Sequence, residues 1–258
     1  MALVDYEYAD GAAWLTLDNP DAGNAITFES TAELAAAVRR AERDGARVIV
    51  LRSTGRFFSV GGDLAGFAQA EDMPAHMDDL ATAIHRVIAG LQRNDAVVVT
   101  VVQGPAAGIG FPLAAAGDLV LASDRAKFTL GYTKVGLAGD GGTGLLTRTL
   151  GLHRTLRLAL LNDLVGAEEA YAAGLVARVF PADELDAKVR ELVAGLAAGS
   201  ATAQAAAKHL IRAAAGDDVE ARLAAEARAM TSAAGTPDAV EGIDAFLGKR
   251  PAKFGGDA

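Results

Sequence analysis

A glycine-rich stretch from Gly104 to Asp118 constrains this chain more than any other part of its sequence. It follows Val97–Val102, an apolar and mostly β-branched run that is typical of a buried strand, and it leads into a small-residue helix pattern from Phe111 to Ala116. The first backbone N–H groups of a helix have no internal acceptor and lie at the positive end of the helix dipole. A strand, a glycine turn and a helix in this order can therefore direct N–H groups at a ligand.

The backbone N–H of Ile109 is predicted to be open to a ligand, because Gly108 and Gly110 flank it. A second strand pattern, from Arg47 to Arg52, leads to another glycine turn, in which Val60 precedes two glycines. Two N–H groups that converge on one oxygen atom form an oxyanion hole. We hypothesise that the N–H groups of Val60 and Ile109 form such a pair.

Three motifs resemble the signatures of the crotonase superfamily, which is also called the enoyl-CoA hydratase/isomerase family. The stretch from Phe58 to Leu64 is similar to the family's F-S/C-x-G-x-D-L signature, and the stretch from Gly104 to Gly110 is similar to its second signature. The stretch from Gly136 to Thr143 resembles the third. One such motif alone would be weak, but three in family order favour the assignment.

The resemblance implies an α/β fold, the crotonase-like spiral of ββα units, with a C-terminal helical trimerisation region. Sequence patterns alone predict an α/β protein with a helical tail. We divide the chain into a crotonase core with the acyl-CoA site, residues 1–195, and a C-terminal helical region, residues 196–258. The resemblance further implies a homotrimer or a dimer of trimers. The Ala-rich helices are predicted over residues 184–198, 201–215, 219–231 and 236–247.

Local patterns in the first third of the chain predict a hairpin and two helices. Asp10-Gly11, between two alternating runs, is typical of a hairpin turn. Thr27 is a good N-cap for the first helix, and apolar residues on one face predict a second helix over residues 76–92. Residues 65–75 have no clear period, which is typical of a mobile loop or a short helix.

Composition excludes several functional classes. The chain has 258 residues, which is enough for one large domain or two small ones, and it has no cysteine, which excludes disulfides and thiolate metal sites. The four histidines have no metal-ligand spacing, so no metal site is predicted. A net charge of −9 argues against nucleic-acid binding. No membrane span and no signal peptide are predicted, so we expect a cytoplasmic protein.

The resemblance implies an acyl-CoA thioester as the substrate, with coenzyme A as part of that substrate and no separate cofactor. A thioester carbonyl becomes an enolate oxyanion when negative charge builds up beside it. Two fixed N–H donors stabilise that charge, and removal of one such donor typically lowers the rate about 100- to 1000-fold. This arrangement allows several reactions, so the acid and base residues decide which one occurs.

Both glutamates that hydratases of this family usually carry are replaced in this chain. Alignment with the family places Pro112, which has no acid function, at one position and Tyr132 at the other. A phenol has a reference pKa of about 10 and is a poor base at neutral pH. The sequence therefore predicts that water addition by the two-glutamate mechanism is absent or very weak.

Asp140 is the acid that remains near the predicted site. It resembles the aspartate that some isomerases, ring-modifying enzymes and dehalogenases of the family place in the third loop, although this loop is one residue shorter than usual. A carboxylate held over the acyl chain can move a proton between Cα and Cγ, which is a Δ3–Δ2 double-bond shift, and burial would raise its pKa. The alternative is a turn aspartate before glycines, which is common.

Further residues are expected to border the acyl-CoA site. Asn24-Ala25 resembles the N-A motif beside the coenzyme A pocket of the family, and basic residues near the C-terminus can approach the coenzyme A phosphates. Asp63 is also expected to cap the helix that follows its loop. The predicted substrate-binding residues are Ala25, Ser59, Gly62, Asp63, Leu64, Gly108, Pro112, Tyr132, Lys249 and Lys253.

Three functions remain open at this point. The first is an enoyl-CoA isomerase-type reaction through Asp140. The second is hydration or another crotonase reaction, such as thioester hydrolysis or decarboxylation, assisted by Tyr132 or an ordered water. The third is a non-catalytic acyl-CoA-binding trimer. Product analysis with 3-enoyl and 2-enoyl thioesters separates the first two, and binding without turnover of any thioester would favour the third.

Overall fold

The computed structural model describes residues 2–215 and 219–254, and within this part the chain forms two sheets. The larger sheet has six strands, and the smaller one has three. In chain order the strands are β1 (Val4–Ala9), β2 (Ala12–Leu17), β3 (Val48–Ser53), β4 (Val97–Val102), β5 (Ala106–Ala107), β6 (Leu119–Ser123), β7 (Lys127–Thr129), β8 (Val165–Gly166) and β9 (Arg178–Phe180).

The larger sheet has the order β1-β2-β3-β4-β6-β9. Strands β1 and β2 are antiparallel, and the predicted hairpin is confirmed: Asp10 and Gly11 have φ values of 52° and 78°, as a two-residue hairpin turn of type I′ requires. The remaining neighbours in this sheet pair in parallel. In the smaller sheet, β7 pairs in parallel with β5 and antiparallel with β8.

Helices connect and cover these strands. Those in the described residues are α1 (Phe28–Arg43), α2 (Leu64–Gln69), α3 (Met73–Arg93), α4 (Gly110–Ala115), α5 (Leu146–Leu150), α6 (Leu152–Leu161), α7 (Ala167–Ala172), α8 (Leu185–Ala198), α9 (Ala201–Ala214), α10 (Val219–Ala234) and α11 (Pro237–Leu247), with short 3-10 helices at Pro20–Ala22 and Tyr132–Val135. None of these helices is long and apolar enough to cross a membrane.

The central strands are apolar along their whole length because both faces of the sheet are covered. Successive side chains of a strand point to opposite faces. In β3, Ile49 and Leu51 therefore join the core cluster under α1 and α3, whereas Val48 and Val50 join the cluster under α8. The continuous apolar runs in the sequence reflect this burial on two sides.

The predicted helix starts are partly confirmed. Thr27 caps α1 in a capping box with Ser30. The second predicted helix, α3, begins at Met73 and not at residue 76, because Asp72 caps it and Pro74 fits its first turn. Residues 64–69 form the short helix α2, and residues 70–72 link it to α3. Of the two alternatives predicted for residues 65–75, the short helix is therefore the one that forms.

The C-terminal part is helical, as the Ala-rich patterns predict. Helix α10 continues to Ala234, three residues beyond the predicted end. The predicted boundary after residue 195 falls inside α8, whose Leu185, Val189 and Val193 pack against the larger sheet. The division into a core and a C-terminal region stays a prediction.

Gly104 provides a test of how tightly the second glycine stretch packs. A Cβ atom at this position would lie 2.0 Å from the carbonyl oxygen of Arg56, which is backbone and has little room to move. We expect Gly104→Ala to destabilise the fold by about 3 kcal/mol or to prevent folding, as severe overpacking does. Urea unfolding followed by circular dichroism measures the change.

The matched control is Gly195→Ala in the interior of α8, where an added Cβ meets nothing within 4 Å. This variant should be more stable than the wild type by about 0.5–1 kcal/mol, because alanine favours the helix. Equal stability of the two variants would contradict the close approach at Gly104.

Candidate functional site

The first two glycine loops lie directly against each other. The N–H of Ala107 donates to the carbonyl oxygen of Ser59 at 2.9 Å, and the N–H of Phe58 donates to that of Pro105 at 2.9 Å. A Cβ on Gly61, whose φ is 99°, would lie 3.0 Å from the carbonyl oxygen of Ala107. Glycine therefore permits both the backbone conformation and the contact.

The third glycine loop meets the other two at Ile109. A Cβ on Gly141, whose φ is 72°, would lie 1.8 Å from the Cδ1 atom of the Ile109 side chain. The second glycine loop therefore contacts the other two, although the three motifs are far apart in the sequence. Their convergence agrees with the hypothesis that they form one site.

A cavity of about 290 Å³ opens at this junction. Its wall is mostly apolar, which suits an acyl chain, and its size is close to the lower limit for small-molecule pockets. Among the predicted site residues, those that line it are Val60, Gly62, Leu64, Gly108, Ile109, Tyr132 and Asp140. Helices α2, α3 and α10 contribute apolar residues, including Phe67, Met77, Leu80, Ile84 and Met230.

The two predicted N–H donors differ in their present partners. No described residue accepts a hydrogen bond from the N–H of Ile109. The N–H of Val60, by contrast, donates to the carbonyl oxygen of Gly23 at 3.0 Å. The loop that holds Gly23 thus supplies an acceptor that the glycine pattern around Val60 does not indicate. The oxyanion-hole pair of Val60 and Ile109 stays a prediction.

Asp140 is buried, with 5% of its surface exposed, and lies in the wall of the cavity. Its Oδ1 atom is 2.6 Å from Nε2 of His85, which is also buried. The backbone carbonyl of Asp140 accepts hydrogen bonds from the hydroxyl groups of Tyr132 and Thr143, both at 3.1 Å. Asp140 is thus held through its side chain and its backbone, which a simple turn aspartate does not require.

The sequence indicates no role for His85, because the four histidines are scattered without metal-ligand spacing. The residue lies on α3, one turn after Ala81 and one turn before Ala89, which are both buried. An imidazole on a buried helix face needs a polar partner. The position of His85 on the apolar face of α3 therefore indicates that it has a polar partner. It does not indicate that this partner is Asp140, which lies 55 residues away. In the described residues, no group of three or more histidine and acidic side chains could hold a metal ion.

Tyr132 lines the cavity, and the family resemblance places it at a position where hydratases usually carry a glutamate. Burial, and next the charge of Asp140, raise the pKa of the Tyr132 phenol well above its ordinary value of 10.0. The phenol therefore stays neutral and acts as a hydrogen-bond donor to the Asp140 backbone. This agrees with the expectation that Tyr132 is a poor base.

Glu226 on α10 is a second residue that the sequence did not indicate. Its carboxylate accepts hydrogen bonds from the N–H groups of Gly142, Thr143 and Gly144, at 2.7, 3.1 and 2.7 Å. Burial raises the pKa of Glu226 above its ordinary value, and these hydrogen bonds act in the opposite direction. In the sequence, Glu226 is one charge among alanines and looks like part of a solvated helix face.

Several predicted binding residues have structural roles and do not line the cavity. The Ser59 side chain is fully buried and links the Asn24 carbonyl, at 2.8 Å, to the N–H of Gly61, at 3.1 Å. Asp63 caps α2, as expected. Ala25 is not in the wall of the cavity, although its neighbour Ile26 is.

Three further predicted residues lie elsewhere. Pro112 lines a separate cavity of about 170 Å³, whose wall also includes Gly141 and Gly142 of the third glycine loop. Lys249 and Lys253 are exposed beyond the end of α11, and the N–H of Lys253 donates to Glu241 at 2.7 Å. Their approach to coenzyme A phosphates stays a prediction.

The spiral fold, the converging glycine loops and the apolar cavity define a crotonase-like protein. The chain belongs to the enoyl-CoA hydratase/isomerase family, whose family model matches residues 7–257. It is 37% identical to a probable enoyl-CoA hydratase of Rhodobacter capsulatus, over 98% of both chains, and 30% identical to the trans-2-decenoyl-[acyl-carrier-protein] isomerase of Streptococcus mutans, over 97% of both chains.

Solved structures agree with this assignment. The crystal structure of an enoyl-CoA hydratase from Mycobacterium avium subsp. paratuberculosis K-10 matches with a TM-score of 0.90 and 35% identity, over 99% of both chains. Relatives of comparable identity carry the names of isomerases, dehalogenases and hydratases. Family membership therefore fixes the fold and the general class of enzyme, whereas the particular reaction depends on the acid and base groups.

The raised pKa of Glu226 makes a prediction about stability and pH. A carboxyl group whose pKa is higher in the folded than in the unfolded protein stabilises the fold below its ordinary pKa of 4.5, and this contribution is lost as the pH rises through the folded-state pKa. The free energy of unfolding of the wild type, relative to Glu226→Gln, should therefore decrease from about pH 4.5 towards pH 7. Urea unfolding across this range measures it, and a relative stability that increases with pH would contradict the raised pKa.

Proposed function

We propose that this protein is an acyl-CoA isomerase-type enzyme of the family, in which Asp140 carries out a Δ3–Δ2 double-bond shift. The observation that carries the proposal is that Asp140 is the one carboxylate among the described residues that line the cavity. Pro112 and Tyr132, at the two positions where hydratases usually carry glutamates, cannot act as carboxylate bases.

In the proposed reaction, the Asp140 carboxylate takes a proton from Cα of a 3-enoyl thioester. The electron pair of the broken C–H bond spreads over the double bond and the carbonyl group as a dienolate. Asp140 then returns the proton to Cγ, the double bond forms between Cα and Cβ, and the thioester carbonyl is restored. One proton leaves and one returns, so no co-reactant is consumed.

Backbone N–H groups stabilise the negative charge on the dienolate oxygen. The N–H of Ile109 supplies one donor. The N–H of Val60 now donates to the carbonyl oxygen of Gly23, and the thioester oxygen would compete with that carbonyl for it. When the thioester oxygen replaces the Gly23 carbonyl as the acceptor, Val60 supplies the second donor. The apolar wall of the cavity keeps water away from the dienolate and strengthens these hydrogen bonds.

The contact between His85 and Asp140 supports a role for this aspartate in the chemistry. The imidazole orients the carboxylate at 2.6 Å, and Tyr132 and Thr143 hold the backbone of the same residue. A group that takes up and returns a proton must stay in place between the two steps. The surrounding hydrogen bonds fit that requirement.

The same contact also favours a second candidate function. A relative from Arthrobacter that is 30% identical is named a 4-chlorobenzoyl coenzyme A dehalogenase. In a hydrolytic displacement, Asp140 would attack a carbon of the acyl group and expel a leaving group, and His85 would activate the water that cleaves the resulting ester. Product analysis after reaction in ¹⁸O-labelled water separates this function from isomerisation, which takes up no oxygen.

The test of the proposed function is the substitution Asp140→Asn, which keeps the size of the side chain and removes the base. Conversion of 3-hexenoyl-CoA to the 2-enoyl isomer should fall about 100-fold or more, which is the scale of general acid–base catalysis. Stabilisation of the protein by hexanoyl-CoA in a thermal melt should change little, because the backbone donors remain.

Tyr132→Phe is the matched control, since it removes a hydroxyl group from the same cavity without removing a base. It should lower turnover only mildly. Near-normal turnover in Asp140→Asn, together with loss of turnover in Tyr132→Phe, would show that the acid is wrongly assigned. If 2-enoyl thioesters are hydrated and 3-enoyl thioesters are not isomerised, hydration replaces the proposal, and binding without any turnover favours a non-catalytic trimer.

We also propose that the chain forms a homotrimer or a dimer of trimers. The support comes from exposed leucines that follow the helical spacing of α6, in which Leu160 is 66% exposed. Single exposed leucines are common, but a row of them on one helix is typical of a surface that another subunit covers. The row comprises Leu152, Leu156, Leu160, Leu161 and the nearby Leu164.

Light scattering at micromolar concentration should give three or six times the chain mass of 26.3 kDa. The double substitution Leu156→Lys and Leu160→Lys should shift the protein towards the monomer, because it places charges on the exposed row. A monomeric wild type would overturn the trimer. An unchanged trimer in the double variant would place the subunit contact elsewhere.

A further inference from the structure

Helix α10 joins the third glycine loop to the wall of the acyl cavity. Glu226 on this helix binds the loop, and Met230, one helical turn later, lines the cavity. Residues four apart lie on the same face of a helix. One helix face therefore contacts both the loop that carries Asp140 and the space where an acyl chain would lie.

We propose that Glu226 is a positioning residue for the reaction: it holds the third glycine loop so that the Asp140 carboxylate stays aligned with the substrate. This inference rests on the proposed function, because it assigns Glu226 a role through Asp140. Glu226 does not itself line the acyl cavity.

The geometry of the contact supports this role. Three consecutive N–H groups converge on one carboxylate: Gly142 and Thr143 donate to Oε2, and Gly144 donates to Oε1. Hydrogen bonds from N–H groups to an ionised acceptor are stronger than those between neutral groups. Both carboxylate oxygen atoms of Glu226 therefore accept hydrogen bonds from the backbone that follows Asp140, and they hold it in place.

The loop needs such an external anchor. Gly139, Gly141, Gly142 and Gly144 surround Asp140 in the sequence, and glycine loses more conformational freedom on folding than any other residue. Tyr132, Thr143 and His85 hold Asp140 itself, but the segment that follows is held from α10. Without Glu226, the glycines would let this segment, and Asp140 with it, sample other conformations.

The Glu226 carboxylate is partly buried, and this argues for a functional use of the anchor. A buried carboxylate is costly unless its hydrogen bonds compensate. Burial dominates the rise in its pKa, and the negative charge of Asp140 adds to that rise. A neutral acceptor would avoid both costs, so stability alone does not account for an acid at this position.

The test compares Glu226→Gln with Glu220→Gln on the same helix. Glu220 is exposed and pairs with Arg93 of α3, so the control removes one charge from α10 without touching the loop. We expect Glu226→Gln to lower kcat for 3-hexenoyl-CoA about 10- to 100-fold, with KM changed much less, because misplacement of a catalytic group lowers the chemical step. Glu220→Gln should stay within about twofold of the wild type, since surface substitutions have small effects.

Amide hydrogen exchange gives a readout that does not depend on activity. The peptide that covers residues 139–146 should exchange faster in Glu226→Gln than in the wild type or in Glu220→Gln. If Asp140→Asn keeps normal turnover, the proposed function fails, but faster exchange would still show that Glu226 holds the loop.

A double variant separates positioning from a merely structural role. In the Asp140→Asn background, Glu226→Gln should lower turnover little further, because the group that it positions is already absent. Unchanged kcat and unchanged exchange in Glu226→Gln would overturn the inference. Additive losses in the double variant would also overturn it, because Glu226 would then act independently of Asp140.

Discussion

The contact between the backbones of the first two glycine loops is the constraint on which the site depends. A Cβ on Gly61 would lie 3.3 Å from the Cα of Gly108, and both residues have positive φ values. Parallel neighbours β3 and β4 end at the same edge of the sheet, which brings the two loops side by side. The absence of side chains then lets the loops touch, and Val60 and Ile109 reach the same cavity.

Much of this arrangement could be predicted from the sequence, because backbone requirements leave local signals. The hairpin at Asp10-Gly11, the cap at Thr27 and the buried strand from Val97 to Val102 follow from residue types within a few positions. The three glycine motifs likewise reveal where the chain turns tightly. The sequence marks Asp140 as a candidate because it lies inside one of these motifs.

The rest could not be predicted, because it depends on partners that are distant in the sequence. His85 and Asp140 are 55 positions apart, and Glu226 lies 82 positions or more after the N–H groups that it binds. The glycines after Val60 likewise do not indicate that the carbonyl oxygen of Gly23 accepts a hydrogen bond from the Val60 N–H. A single sequence shows that such groups exist, but not which pairs the fold brings together.

The proposed reaction follows from the number of carboxyl groups that line the cavity in the described residues. Addition of water by the two-glutamate mechanism requires one carboxyl group to activate the water and another to deliver a proton to carbon, and Pro112 and Tyr132 provide neither. A double-bond shift moves one proton from one carbon to another, and a single carboxylate can take it and return it. The cavity wall is otherwise mostly apolar, and hydrogen bonds hold its aspartate in place. Such a site suits an isomerisation, in which the substrate neither gains nor loses an atom.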